Sequence, residues 1–102
     1  MTKVETEFTE ALLDVLNQAE ALTGIEEPRL AESARTRGGA PAVREMLRRG
    51  QTTRQFSRLA ELGRLDLTPE HLVTRGKYSA LFTDEEADLC LSALLEAGAF
   101  KL

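Results

Sequence analysis

The chain has 102 residues, of which 42% are hydrophobic and 29% are charged. That length suits one domain, and a chain of this hydrophobicity is expected to fold. A lone cysteine excludes an internal disulfide, and a lone histidine leaves few ways to build a metal site. No apolar run approaches the ~18 residues of a membrane span, and the acidic start MTKVETEF differs from a secretion signal. We therefore expect a single helical domain over residues 1–102 in the reducing cytoplasm.

The net charge of −4 is distributed unevenly along the chain. Residues 1–27 carry −6, residues 28–64 carry +6 with nine arginines, and residues 65–102 carry −4. The planar guanidinium of Arg suits carboxylates and phosphates. Two interpretations stay open: the acidic ends neutralise the basic middle within the fold, or the middle presents a binding surface.

The first predicted helix runs roughly from Glu5 to Thr23. Its apolar residues recur at helical spacing on one face. They are Phe8, Leu12, Val15, Leu16, Ala19 and Leu22. Gly24 suits the left-handed conformation that ends many helices.

Three shorter helices are predicted in the basic middle. Pro28 suits the first turn of the second helix, which Gly38-Gly39 ends, and Pro41 restarts a third helix that ends before Gly50.

A fourth helix is predicted from a cap at Thr52 or Thr53, through Phe56, to Gly63. In the following GRLDLT segment, Leu65 and Leu67 alternate with polar residues over too few positions to predict a strand.

Thr68-Pro69 predicts the start of a fifth short helix, which should fail near Gly76. A buried connector or single turn should follow, built on Tyr78, Leu81 and Phe82.

The last helix has the clearest local signal in the chain. Thr83 and Glu86 have the spacing of a capping box, in which each side chain accepts the backbone N–H of the other. Gly98 should end the helix, and Phe100 is placed to pack back on it. The apolar side is Ala87, Cys90, Leu91, Leu94 and Leu95.

Short helices separated by glycines predict an all-α, compact orthogonal bundle of five to six short helices rather than a long coiled coil. We expect one core. Its predicted members are Leu12, Leu16, Phe56, Leu59, Leu67, Phe82, Leu91 and Leu94.

The segments FSRLAELGRLDLTPEHLV and YSALFTDEEADLCLSALLEAGAF resemble a family of small uncharacterised bacterial helical domains with a GRLDLT-x-E and LFT-x-E-E pattern. Upstream, ALTG and RGGAPAVREMLRRG are similar to the family's ALTGY and GG-x-x-A-x-x-LL segments. Ile25 and Phe100 stand where the family commonly has an aromatic residue and a Tyr. The resemblance implies a helical fold, and it implies no established reaction, cofactor or catalytic residue.

The residues themselves predict no catalytic, metal or cofactor site. Glu85 and Glu86 are adjacent on a helix and point in different directions, and a cap explains Glu86. Cys90 lies on an apolar side, where a buried thiol is expected. His71 suits a surface or boundary position. Asp66 is expected to form an ion pair or a cap within a tight turn.

An arginine set is the strongest functional feature of the sequence. Its candidate partner-binding residues are Arg44, Arg48, Arg49, Arg54, Arg58 and Arg64. Helices on either side of Gly50 have a helix-turn-helix-like spacing, but the acidic overall charge is unusual for a nucleic-acid reader. We expect a non-catalytic protein-interaction module, such as an adaptor, regulator or accessory subunit, that binds another protein. The alternatives are a nucleic-acid-binding domain that uses these arginines and a structural oligomerisation unit.

Overall fold

The computed structural model describes residues 2–98 as α-helices joined by short turns and 3₁₀ helices. The α-helices are α1 (Lys3–Thr23), α2 (Pro28–Arg37), α3 (Gly39–Arg48), α4 (Phe56–Glu61), α5 (Pro69–Thr74) and α6 (Asp84–Glu96). The 3₁₀ helices span Leu65–Leu67 and Gly76–Leu81. No residue in the range 2–98 lies in a β-strand, so the predicted all-α bundle is confirmed.

Helix α1 is the element around which the others assemble, since α2, α3 and α5 all pack against it. It begins at Lys3, slightly earlier than predicted, because Thr2 caps it: the Thr2 hydroxyl accepts the Glu5 N–H at 3.2 Å. Gly24 ends it in the left-handed conformation, as predicted. The predicted apolar face is buried except for Leu22, which is 47% exposed.

The crossing of α3 over α1 depends on a glycine. A Cβ atom at Gly39 would lie 2.9 Å from the Cα of Thr9, closer than side-chain carbons approach a backbone. The Gly39 N–H also donates a 2.8 Å hydrogen bond to the Thr9 hydroxyl. Helix α3 begins at Gly39, two residues before the predicted start at Pro41. The bond and the close contact with Thr9 hold this first turn of α3 against α1.

One of the predicted local features differs in the structure. Neither Thr52 nor Thr53 caps α4, which begins at Phe56 without a side-chain cap. Thr53 is buried instead. The LDL segment forms a 3₁₀ turn, and Thr68 caps α5 as predicted by accepting the His71 N–H.

The buried apolar residues form three clusters rather than the single core expected. The largest joins α1, α2, α3, α5, α6 and the segment 78–82, and in it the Phe8 ring meets Tyr78 and Phe82 edge-on at 5.1 and 5.2 Å. A second cluster is Ala19, Leu59 and Leu67, and a third is Phe56, Leu65 and Leu94.

Leu91 belongs to none of them because α6 presents it to solvent, where it is 40% exposed. The predicted packing of Phe100 lies outside the described residues.

The cap of α6 tests whether residues close in sequence fix the start of a helix. The Thr83 hydroxyl accepts the Glu86 N–H at 3.1 Å, and Glu86 accepts the Thr83 N–H at 2.8 Å, so the predicted capping box is confirmed. We expect Thr83→Ala to lower the free energy of unfolding by about 1 kcal/mol in urea denaturation, because it leaves a backbone donor without its partner. Ser92→Ala, an exposed change in the same helix, should shift it by no more than about 0.5 kcal/mol. Equal losses in both variants would contradict the cap.

Phe56 tests the third cluster, since it is 7% exposed and packs with Leu65 and Leu94. We expect Phe56→Ala to cost about 3–5 kcal/mol of unfolding free energy, from lost burial and the cavity left behind. Leu62→Ala is the matched control, because Leu62 directly follows α4 but is 41% exposed. Similar small losses for the two variants would show that Phe56 is not part of a packed cluster.

Candidate functional site

The six candidate arginines do not come together at one site. Arg49 and Arg54 line the same groove, described below, whereas the others lie outside it. Arg48 is exposed, and Arg58 and Arg64 are exposed and paired with nearby acids of the same segment. The predicted ion pair of Asp66 is the one with Arg64, at 3.1 Å. Exposed pairs of this kind contribute only about 0–1 kcal/mol to stability.

Arg44 has a role in the fold that its sequence position did not reveal. Its Nε lies 3.1 Å from the Glu86 carboxylate, and its guanidinium donates to the Leu81 carbonyl. The guanidinium also lies 5.9 Å from the centre of the Phe82 ring. Arg44 therefore ties α3 to the start of α6. Of the candidate arginines, it is the one whose ion-pair partner lies far away in the sequence, because Arg49, Arg58 and Arg64 pair with acids two to four residues away.

A groove of about 670 Å³ lies between α2, α3 and the segment that follows α3. Leu30 from α2 and Ala42 and Met46 from α3 form its apolar lining. Its charged lining is unbalanced in favour of cations. The charged residues are Arg29, Arg37, Arg49, Arg54, Glu27 and Glu45. Such a groove suits an apolar side chain flanked by anionic groups.

Two groove arginines, Arg29 and Arg37, were missed by the sequence analysis. Together with Ser33, they are spaced by four residues along α2, so they share a helix face beside Leu30. That spacing was visible in the sequence. What was not visible is that this face lies across from α3, because the order of packing around α1 decides it.

The wall of the groove formed by residues 51–54 is held in place by two carboxyl groups. The Thr53 N–H donates to Glu70 of α5 at 3.2 Å, and the Gln55 N–H donates to Glu27 at 2.9 Å. The Gln55 amide then donates to the Ile25 carbonyl at 2.6 Å. These bonds replace the hydroxyl cap that the sequence predicted for α4. They fix the segment that carries Arg54 against α5 and the α1–α2 turn.

Glu70 is buried, with 1% of its surface exposed. Burial raises its pKa to about 7, against the lowering effect of the Thr53 N–H, and the nearby Glu27 carboxylate raises it further. Burial also raises the pKa of Glu27, although the Gln55 and Arg54 N–H groups oppose this. Both acids are therefore easier to protonate in the folded chain than in the unfolded chain.

Three buried oxygens in this cluster have no hydrogen-bond partner within residues 2–98: Thr53 Oγ1, Gln55 Oε1 and Glu70 Oε1. While Glu70 is ionised, only the Thr53 hydroxyl among them carries a hydrogen to donate. Protonation of Glu70 supplies a second donor. The shortage of donors thus agrees with a carboxyl group that holds its proton up to neutral pH.

Cys90 is fully buried, and the expected buried thiol is confirmed. Burial, followed by the negative charges of Glu70 and Glu86, raises its pKa to about 12, so the reactive thiolate is not formed at neutral pH. In the range 2–98, no group of three or more His, Cys, Asp or Glu residues is arranged to hold a metal ion. Over the same residues, no helix combines the length and apolar character that crossing a membrane requires.

Comparisons with protein-family models, with curated proteins and with solved structures return no match to this chain. The resemblance to small bacterial helical domains stays a prediction.

Glu70 gives the fold a defined pH dependence. The ordinary pKa of a glutamate side chain is 4.5, and burial raises that of Glu70 to about 7, so between these pH values the folded state binds more protons than the unfolded state. Stability from this group is therefore complete below about pH 4.5, falls as pH rises, and is lost above about pH 7, a change of about 3 kcal/mol. We expect Glu70→Gln to reduce this fall in stability, leaving the part that comes from Glu27, whose pKa burial also raises, and to raise the unfolding free energy at pH 8.

The slope is measured by urea denaturation at a series of pH values. Glu26→Gln is the matched control, because it removes an exposed carboxylate beside Glu27 without touching the buried cluster. An unchanged slope in Glu70→Gln would show that Glu70 is not the group that titrates.

Proposed function

We propose that this chain is a non-catalytic, cytoplasmic protein-interaction module whose groove between α2 and α3 binds an acidic, leucine-bearing segment of a protein. The observation that carries the proposal is the lining of the groove, where four arginines surround apolar side chains and only two acids offset them. Guanidinium groups bind carboxylates in bidentate fashion, and an apolar floor adds the burial that gives affinity.

The arrangement favours a protein segment over duplex nucleic acid. A duplex reader places a protruding helix in the major groove, whereas α4 has only six residues and its Arg58 is paired with Glu61. The chain is acidic overall, which opposes binding to a polyanion. The groove is a concave site with an apolar floor, which suits a side chain inserted from a partner.

The test is a binding titration with a synthetic amphipathic helical peptide that presents leucines four residues apart, flanked by Asp and Glu. We expect the double variant Arg29→Glu with Arg49→Glu to lose at least about tenfold in affinity, equal to about 1.4 kcal/mol. Its melting temperature should hardly change, because the one ion pair lost, between Arg49 and Glu45, is exposed. Fluorescence anisotropy of the labelled peptide measures the affinity.

Arg48→Glu with Arg58→Glu is a closely matched control, since it reverses the same number of exposed arginines outside the groove and also removes one exposed ion pair. It should bind the peptide as the unmodified protein does. Equal binding by both double variants would refute the groove as the site. A peptide with lysines in place of the acids should not bind. Binding of duplex DNA that falls steeply with salt and is abolished by the groove variant would instead support the nucleic-acid alternative.

A further inference from the structure

Helix α6 carries an exposed stripe of acids and leucines, which are the side chains proposed above for the occupant of the groove. Asp84, Asp88, Leu91 and Leu95 follow one another at spacings of four, three and four residues, so they lie along one side of the helix. All four are exposed, and Leu91 and Leu95 are 40% and 55% exposed. Leu91 and Leu95 were expected to lie on the buried side. The structure turns the adjoining flank, with Cys90 and Leu94, toward the core, and leaves Leu91 and Leu95 at its exposed border.

The charge of α6 is entirely negative. The helix contains five acids and no Lys or Arg between Asp84 and Glu96. The stripe therefore combines carboxylates with leucines, and the groove combines four arginines with an apolar lining. Opposite charges across such a contact speed association and align the partners, while the leucines contribute buried area.

We propose that the groove of one molecule receives the Asp84–Leu95 stripe of a second copy of this chain. The proposal rests on the proposed function of the groove and names its occupant. The partner is thereby identified by its acids and exposed leucines, which this chain itself carries on α6.

A molecule cannot place its own α6 in its own groove. Glu86 at the start of α6 pairs with Arg44, and this contact holds α6 against α3. Arg44 lies about 150° around α3 from the residues of that helix that line the groove. The groove and α6 therefore lie on different sides of α3, and only another molecule brings a stripe to the groove.

A contact between two different surfaces is a head-to-tail contact. After two molecules join, one groove and one stripe remain free, so further copies add until a ring closes or a chain of molecules grows. Self-association should thus extend beyond a dimer as protein concentration rises, and it should weaken as salt screens the exposed charges.

The experiment is sedimentation velocity of the full chain from micromolar to millimolar concentration at low and moderate salt. We expect a mass that rises with concentration above the 11.3 kDa of one chain. Both Arg29→Glu with Arg49→Glu, in the groove, and Leu91→Gln with Leu95→Gln, in the stripe, should remain monomeric. Far-UV circular dichroism and melting temperature check that each variant is folded.

The mixture of these two double variants is the decisive measurement. The groove variant keeps an intact stripe and the stripe variant keeps an intact groove, so one contact can form between them. Neither product has a second working surface, and the mixture should stop at a 1:1 dimer of twice 11.3 kDa. Leu22→Gln with Leu89→Gln is the control, because both leucines are exposed but lie outside the stripe, and it should assemble as the unmodified chain does.

Several results would overturn the second-copy proposal. These are an unmodified chain that stays monomeric throughout, a groove variant that still dimerises, a mixture without a dimer, and a control variant that fails to assemble. The peptide titration separates this failure from failure of the groove itself. If the acidic peptide binds while the chain stays monomeric, the groove binds a different protein. If neither binds, the proposed function fails as well.

Discussion

Two buried or half-buried carboxyl groups, Glu70 and Glu27, hold the irregular segment between α3 and α4, and the central part of the structure depends on them. The N–H groups of Thr53 and Gln55 are directed into the protein, where they donate to Glu70 and Glu27. Buried backbone donors require partners, and the carboxyl oxygens of Glu70 and Glu27 supply them. The bonds join α5, the α1–α2 turn and the start of α4, which are distant in sequence. They also fix the wall of the groove on which Arg54 is carried.

The way in which the arginines are paired explains how a chain with acidic ends and a basic middle keeps a cationic groove. Within residues 2–98 the acidic ends do not fold over the basic middle residue by residue. Arg44 with Glu86 is the one pair that a candidate arginine makes with a distant acid, while Arg64 reaches only to Asp66, two residues along the chain. Arg49, Arg58 and Arg64 pair with acids two to four residues away, in exposed positions. Pairs of this kind are weak and screened by salt, so their arginines stay available to another anion.

Helix α6 serves two purposes on its two sides. Its inner side buries Cys90 and Leu94, and Glu86 both completes the cap and pairs with Arg44. Its outer side leaves leucines in water beside Asp84 and Asp88. An apolar stripe that the fold leaves uncovered costs solubility unless acids accompany it or a partner covers it. The acids on α6 and the arginines of the groove carry opposite charges, and the proposed contact between copies rests on this complementarity.

The sequence alone determined the features that depend on near neighbours in the chain. These features follow from contacts within a few residues. They are the caps at Thr68 and Thr83, the left-handed end of α1 at Gly24, Pro28 in the first turn of α2, and the apolar face of α1. Tertiary structure alone decided which side of α6 is buried and that Gly39 touches Thr9. It also decided the roles of three arginines: Arg44 pairs within the fold, whereas Arg29 and Arg37 line the groove. It also decided that Glu70, placed like an ordinary first-turn acid, is buried against Thr53. The physical reason is that helix periodicity gives each residue an angle about its own axis, whereas burial and pairing depend on what the other helices place at that angle.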